Sequence, residues 1–363
     1  VVFVPFTAPG DLVKVKIHDE RRRFARGRVQ ALIEPGPPRT DPVCGVFGTC
    51  GGCAWQHIAY PAQLVAKRRI LSDALSRIAG LDGIAPEGVV PSPAEYGYRG
   101  RTRLRIQGRR VGYRRRRSHA LCPVTRCPVL VPELDRRLVA LAEDPPDRDG
   151  HLELAAAGDA TRTAWLPGAE GAPLWHALSA GRMRVSPGVF FQSNALLMDA
   201  LCTAVVDAAG TGKRAIELFA GAGLFTLGLA PHFASLVAVE SNAAAVEDLE
   251  HNLEEAGIGN VKVVCDRLER ALERGALGAV DPDVIVLDPP RSGLEEGGAE
   301  AVAALGAQRI VYLSCEPATL ARDLALMVRC GYEPKPLQAF DLFPQTPHVE
   351  ALAVLERDRI GLR

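Results

Sequence analysis

Cys315 closes an apolar run of strand length, RIVYLSC, and two residues later Pro317 opens a stretch with helical spacing, PATLARDLALMVRCG. A cysteine at such a strand-to-helix junction lies at the positive end of a helix, where its thiolate is favoured. Cys202, Cys265 and Cys330 fall inside predicted helices or strands and are expected to be small buried residues. Downstream, DLFPQTPHVEALAVLE leads through a loop into a final strand, with Glu350 at its entry. A thiolate and a carboxylate together suit one demanding reaction, methylation of carbon 5 of a uracil. That carbon is a poor nucleophile within the intact ring. A thiolate adding at carbon 6 turns the ring into an enolate, whose carbon 5 can attack a methyl group. A base must then remove the carbon 5 proton so that the thiol can leave. Taken alone, Glu350 is as readily a solvated residue at a strand start, and its spacing does not by itself make it that base.

A methyl donor needs a site of its own. The run KRAIELF continues into AGAGLFT, where Gly221 and Gly223 let the backbone turn tightly and approach a ligand at a helix start. A dinucleotide fingerprint would carry a third glycine where Thr226 stands. Glu240 closes the next run 19 residues after Gly221, a spacing at which a carboxylate accepts both hydroxyls of a ribose. A further run ends in Asp288-Pro289-Pro290-Arg291. These three strand ends together resemble class I S-adenosylmethionine-dependent methyltransferases. The bland alternatives are a structural turn glycine, a solvated loop carboxylate and a turn-forming Asp before prolines.

The elements that must hold these residues alternate. From about residue 182, KRAIELF, SLVAVE, VKVVCD, DVIVLD and RIVYLSC are separated by helical segments such as AAAVEDLEHNLEEAG. That rhythm predicts an α/β fold, a doubly wound and mostly parallel Rossmann-like sheet whose ligands bind beyond the carboxyl ends of its strands. Residues 1–43 read as short strands, VVFVPF, LVKVKI and ARGRVQALIE, consistent with a small β-barrel piece before the linker PGPPRTDP. Between them, 44–181 holds a cysteine-rich segment, the helical stretch PAQLVAKRRILSDALSRIAGL and two basic strands, YRGRTRLRI and RRVGYRRRR. Three domains are therefore expected: 1–43, a central α+β domain at 44–181, and 182–363.

Net charge is zero over 363 residues, but residues 1–130 carry 23 Lys and Arg against 9 Asp and Glu. The remainder carries 20 basic and 34 acidic residues. A basic first third on a neutral chain points to a polyanion partner, with a solvated basic face as the plain alternative. No apolar run has the roughly 18–20 residues of a membrane helix, so no membrane association is expected. The first residues lack a basic leader and a cleavage site, which suggests a cytoplasmic, reducing setting. Nine cysteines there suggest metal or catalytic roles before disulfides. In CGVFGTCGGCAWQH, Cys44, Cys50 and Cys53 form a C-x5-C-x2-C set, with Cys127 in RCPVL as candidate fourth ligand and Cys122 as its rival. A four-Cys zinc usually shows paired C-x2-C knuckles, and one such pair is present. Three close cysteines and a distant Cys followed by Pro resemble iron–sulfur ligation.

Finally, LDPPRSG, IVYLSCEPATLARDL and DLFPQTPHVEAL, in this order and spacing, resemble the RNA uridine-5-methyltransferase family, which acts on ribosomal and transfer RNA. VFFQSN at 189–194 is similar to the segment where that family places a Gln touching the methyl donor, here Gln192. The resemblance implies Cys315 as nucleophile and Glu350 as base. It implies an S-adenosylmethionine site of Gln192, Phe219, Gly221, Gly223, Glu240 and Asp288. A 4Fe–4S cluster on Cys44, Cys50, Cys53 and Cys127 is also implied, because ribosomal members carry one on this spacing and bacterial transfer-RNA members largely lack it. Structured RNA, above all 23S ribosomal RNA, is then the partner of a monomeric chain.

The amino-terminal piece resembles the end of an oligonucleotide-binding, TRAM-like barrel. Arg21 to Arg23, Arg99 to Arg105 and Arg114 to Arg117 are candidate phosphate contacts, and Tyr98, Tyr113 and Trp55 candidate base platforms. The target base would have to be unstacked to reach Cys315. Three departures stand out: Glu316 replaces the family's usual Asn and would oppose a thiolate, and Leu224 and Arg267 replace polar residues that help hold the cofactor. Two other readings are an amino-methyltransferase acting on adenine or guanine, and a catalytically idle iron–sulfur protein that binds RNA.

Overall fold

The computed structural model describes residues 1–168, 170–278 and 281–357, so the last six residues of the expected third domain lie outside the described residues. Five parallel strands form the centre of an eight-stranded sheet: Val261–Cys265, Phe233–Glu240, Gly212–Leu218, Val284–Leu287 and Arg309–Ser314, in that spatial order. Each lies within two residues of its predicted run at either end. Parallel strands with both faces covered read as continuous apolar runs, and VIVL at 284–287 is buried at every position. Glu350–Arg357 follows antiparallel to Arg309–Ser314, and Tyr332–Pro334 and Gln338–Phe340 both pair with it. Connections leave Gly212–Leu218 toward one edge and return at Val284–Leu287 toward the other. The crevice at this switch point is where such sheets hold ligands.

Helices cover both faces. Met198–Ala209 and Ala243–Glu255 pack on one, and Pro317–Arg329 on the other, with Leu320 and Leu324 fully buried. The second face also receives a helix from the first half of the chain. Tyr60–Ala74, extended by a wide turn Leu75–Ala79, sends Leu71 and Leu75 into the same core as Ile310 and Tyr312. Lys67, one of three consecutive basic residues on this helix, points inward and is fully buried against Asp341.

Two smaller layers precede the sheet. A three-stranded sheet comprises Val2–Phe3, Ala25–Glu34 and Leu12–Glu20. A five-stranded antiparallel sheet runs Leu121–Pro123, Val111–Arg114, Arg101–Ile106, Gly150–Ala157 and Ala160–Leu166, covered by Leu134, Leu138 and Leu141 of helix Pro132–Glu143. Gly150–Ala157 and Ala160–Leu166 had no counterpart among the predicted strands. The boundary expected at 182 falls within a hairpin, Leu174–Leu178 with Gly181–Val185. Arg184 of that hairpin bonds Asp248 (2.8 Å) and Asn252 (2.8 Å) of the helix behind the sheet.

Four expectations about single residues change. Tyr98 is buried, its hydroxyl donating to the Pro344 carbonyl at 2.9 Å, so it has no face open for a base to stack on. Tyr113 is half-buried, its hydroxyl accepting from Thr102 at 3.1 Å and its side chain lining a cavity beside the cysteines. Cys265 ends a strand at the sheet's edge and Cys330 caps a helix, so both are exposed while Cys202 is buried as expected.

Candidate active site and a four-cysteine cavity

A cavity of about 690 Å3 opens at the carboxyl ends of the parallel strands, and Gln192, Phe219, Gly221, Glu240, Asp288, Cys315 and Glu350 all line it. Their convergence follows from strand ends. Phe219, Asp288 and Cys315 each stand one residue beyond a parallel strand, and Glu240 is the last residue of another. Ser314 pairs with Ala351 across the antiparallel ladder, so one step outward the register brings Cys315 beside Glu350. Phe219 and Gly221 both adopt left-handed backbone (φ 63° and 57°), which folds the turn back over the strand end. Glu240 accepts the Gly221 amide at 2.9 Å and the Ser241 and Asn242 amides at 2.7 Å, so its carboxylate is fixed at the rim.

Gly223 is the exception: it does not line the cavity. Its φ is 94°, and a Cβ there would stand 2.5 Å from a methyl carbon of Leu249, so it serves the turn's packing. Gln192 is positioned by a segment clamped at both ends. At its start Ser186 bonds Asp248 through amide and hydroxyl (2.6 and 2.7 Å). At its end Asn194 donates to Ser92 at 3.0 Å and to the Leu342 carbonyl at 3.3 Å. Phe190, two residues before Gln192, is 71% exposed at the cavity's mouth.

Electrostatics set the resting protonation state. Burial, then the charge of Glu350, push the Cys315 thiol up to about 11, with Asp288 adding to the rise and Arg291 opposing it. Burial lifts Asp288 to about 7. Glu350, 2% exposed, is raised by burial and by Asp288 and lowered by Arg291. Arg291 is thus the cation that acts on both Cys315 and Glu350, and sequence reading missed it. The available signal was its place: the residue directly after Asp-Pro-Pro at a strand end is fixed as firmly as the Asp. Glu316 is not among the charges acting on Cys315, nor does it line the cavity. It caps helix Pro317–Arg329 through its backbone, its carbonyl accepting the Leu320 amide at 3.1 Å, while its own amide donates to Ser314 Oγ at 3.2 Å. The largest charges that oppose the thiolate are Glu350 and Asp288. Leu224 is buried in the core, away from the cavity, whereas Arg267 lines the mouth, paired with Glu295.

Cys44, Cys50, Cys53 and Cys127 line a second cavity, of about 320 Å3, together with Arg99, Arg103 and Arg126. The three close cysteines come from a loop hydrogen-bonded to the end of strand Val111–Arg114, with Gly51 donating to the Arg114 carbonyl at 2.9 Å. Cys127 enters from the segment before helix Pro132–Glu143, its amide held by Asp135 at 2.8 Å. Cys122 is buried and does not line this cavity. Burial lifts the Cys50 thiol to about 12 and Cys53 to about 11, and raises Cys127. Among the described residues, no three or more His, Cys, Asp or Glu side chains are gathered to hold a metal ion. The two cavities share a wall: Arg291 and Phe343 line both. No helix among the described residues is long and apolar enough to cross a membrane.

Comparison with known proteins gives a consistent result. The profile of the tRNA (Uracil-5-)-methyltransferase family matches residues 180–358, and that of the TRAM domain matches residues 1–30. The 23S rRNA (uracil(1939)-C(5))-methyltransferase RlmD of Pseudomonas aeruginosa is 35% identical, over 98% of this chain and 89% of its own. An uncharacterized RNA methyltransferase of Thermosynechococcus vestitus is 32% identical over 98% of this chain and 93% of its own. The crystal structure of Pyrococcus abyssi tRNA (uracil-54, C5)-methyltransferase with S-adenosyl-L-homocysteine superposes with a TM-score of 0.76. It is 25% identical and covers 98% of this chain and 94% of that one.

Proposed function

The chain belongs to the RNA uracil-5-methyltransferase family, and from that premise we propose that it methylates carbon 5 of a uridine in 23S ribosomal RNA through a covalent adduct with Cys315. The observation that carries this reading is the single cavity in which Cys315, Glu350 and Asp288 face the residues of the cofactor crevice. S-adenosylmethionine, when bound there, supplies an electrophilic methyl carbon. Gln192, Phe219, Gly221, Glu240 and Asp288 are assigned to holding it, with Glu240 suited to its ribose hydroxyls. The thiolate of Cys315 adds to carbon 6 of an unstacked uracil, and the displaced electron pair makes carbon 5 nucleophilic. After the methyl group has moved to carbon 5, Glu350 takes the proton from that carbon, the carbon–sulfur bond breaks, and the thiolate is restored. Arg291 offsets the negative charge gathered around the thiolate and enolate.

We assign RNA binding to residues 1–43 and 44–181, and the transfer reaction to 182–363. A test is direct. RNA carrying 5-fluorouridine should form a covalent, donor-dependent adduct with the unaltered protein, and Cys315→Ala should abolish it. Methyl transfer to RNA without any adduct would refute the uridine reading and favour an amino-methyltransferase.

The four-cysteine cavity supports a 4Fe–4S cluster held by Cys44, Cys50, Cys53 and Cys127. A single zinc draws four sulfurs to within ~2.3 Å of one point, while a four-iron cube keeps its ligands apart at its corners. Four thiols that line one cavity of about 320 Å3 leave room for an occupant larger than a single ion. The cluster supplies a covalent brace across segments far apart in the chain. Iron and acid-labile sulfide should be found after anaerobic purification; one zinc and no sulfide would reject the assignment.

A further inference from the structure

Residues 341–349 join strand Gln338–Phe340 to strand Glu350–Arg357 and form the wall between the two cavities. Phe343 faces both, Thr346 and His348 line the cysteine side, and Glu350 follows directly on the active side. In the middle of this loop stands Gln345, 1% exposed and in left-handed backbone (φ 68°) that a non-glycine residue rarely adopts. Every polar group it has is bonded. Its amide donates to Gln63 Oε1 at 2.9 Å, and its own Oε1 accepts from Gln63 Nε2 at 2.9 Å, a reciprocal pair between residues 282 apart. Its Nε2 donates to Glu95 at 3.3 Å. Its carbonyl accepts two amides, Ala54 and Trp55, each at 3.0 Å, and these are the residues immediately after Cys53. Gln63 is itself anchored by the Ile58 carbonyl at 2.8 Å. Such a backbone persists where surrounding bonds over-determine it.

We propose that Gln345 is a positioning residue that ties the four-cysteine site to the base. It holds the loop leading into Glu350 against the segment following Cys53, so that the cysteine site braces the proton-removal step. The proposal rests on the reading of Glu350 as that base. A residue serving only the fold would affect every step in proportion to the protein lost, whereas a residue that orients the base affects the step after methyl transfer.

The test uses the full chain, purified anaerobically, and its variant Gln345→Gly, which keeps the left-handed backbone and the carbonyl that accepts Ala54 and Trp55, and removes the side-chain bonds to Gln63 and Glu95 that hold that carbonyl in place. With 5-fluorouridine RNA the reaction stops before proton removal, because fluorine occupies carbon 5. Adduct formation by the variant should therefore proceed at close to the unaltered rate, and S-adenosylhomocysteine should bind equally well. With ordinary RNA, turnover should fall about tenfold or more, the scale set by displacing a catalytic group by under 1 Å. The methylated adduct should accumulate at the same time. Loss of turnover without accumulation, loss in proportion to fluorouridine trapping, or no loss would each overturn the proposal. Absence of trapping by the unaltered protein would instead refute the uridine reading itself. A second measurement needs no variant. Amide hydrogen exchange should show residues 341–349 losing protection together with residues 50–55 when iron is stripped by a chelator. In a chain first shown to contain iron, unchanged protection of 341–349 after stripping would equally overturn the coupling, whereas a chain without iron would refute the cluster reading instead.

Discussion

Cys315 is a thiol at rest, and the depth of that suppression is measurable. With its ionisation lifted to about 11, roughly one molecule in a thousand carries the thiolate at pH 8, against about one in four for a free cysteine near pKa 8.5. The more basic thiolate is also the better nucleophile, which returns about tenfold of the loss. The net expectation is alkylation by iodoacetamide about twentyfold slower than for a free cysteine at pH 8, rising about tenfold per pH unit with no plateau below pH 10. Mass spectrometry of the peptide containing Cys315 separates it from the other cysteines. The signs of the perturbations follow from its neighbours. Glu350→Gln removes the larger of the two opposing charges and should speed alkylation, while Arg291→Met removes the one favourable charge and should slow it. The sulfonium of S-adenosylmethionine adds a positive charge that the homocysteine product lacks, so the substrate cofactor should accelerate alkylation more than the product does, provided the methyl carbon does not shield the sulfur. A plateau with an apparent pKa below about 9, or slower alkylation in Glu350→Gln, would refute this account of the charge balance.

Lys67→Ala leaves Asp341 buried with Oδ2 already lacking a partner, and should cost about 3–5 kcal/mol in urea unfolding; Lys67→Met with Asp341→Leu should recover much of that loss. Glu217 is fully buried and lifted to about 8. An acid raised on folding contributes stability that is complete below its unfolded pKa near 4.3 and is lost as pH rises toward 8. The urea midpoint should therefore fall between pH 5 and 8, and Glu217→Gln should remove its share of that fall, while the raised acids Asp288 and Glu350 keep the rest. The Arg267–Glu295 pair joins loops that follow Val261–Cys265 and Val284–Leu287, two strands lying between them, and so spans the cofactor mouth. Glu295→Gln should speed both binding and release of S-adenosylhomocysteine, by about two- to fivefold, and abolish their dependence on salt; stopped-flow fluorescence would reveal unaltered rates if the pair is idle.

The parallel strands were legible because burial on both faces leaves no room for polar residues, and VIVL or IVYL bounded by polar residues and prolines has few other uses. Cys315, Asp288 and Glu240 were legible for the same reason, since a residue at the end of such a run has its position fixed by the run. The pairing of Cys315 with Glu350 was not, because an antiparallel register over 34 residues of intervening chain cannot be read from spacing. Nor was the inward turn of Lys67. A run of Lys-Arg-Arg on a helix reads as solvated, and its burial depends on Asp341, 274 residues away. Tyr98 and Tyr113 misled for a related reason: an aromatic among arginines has the composition of a nucleic-acid platform, but its hydroxyl here meets a buried partner. Glu316 shows the limit most clearly. Adjacency in sequence suggested that its charge would act on the thiol, yet the strand-to-helix turn sends successive side chains in different directions. The charges that reach Cys315 come from the next strand ends, Asp288 on one side and Glu350 on the other. Reactivity at this cysteine is thus set across the sheet, by residues that only the strand order brings together.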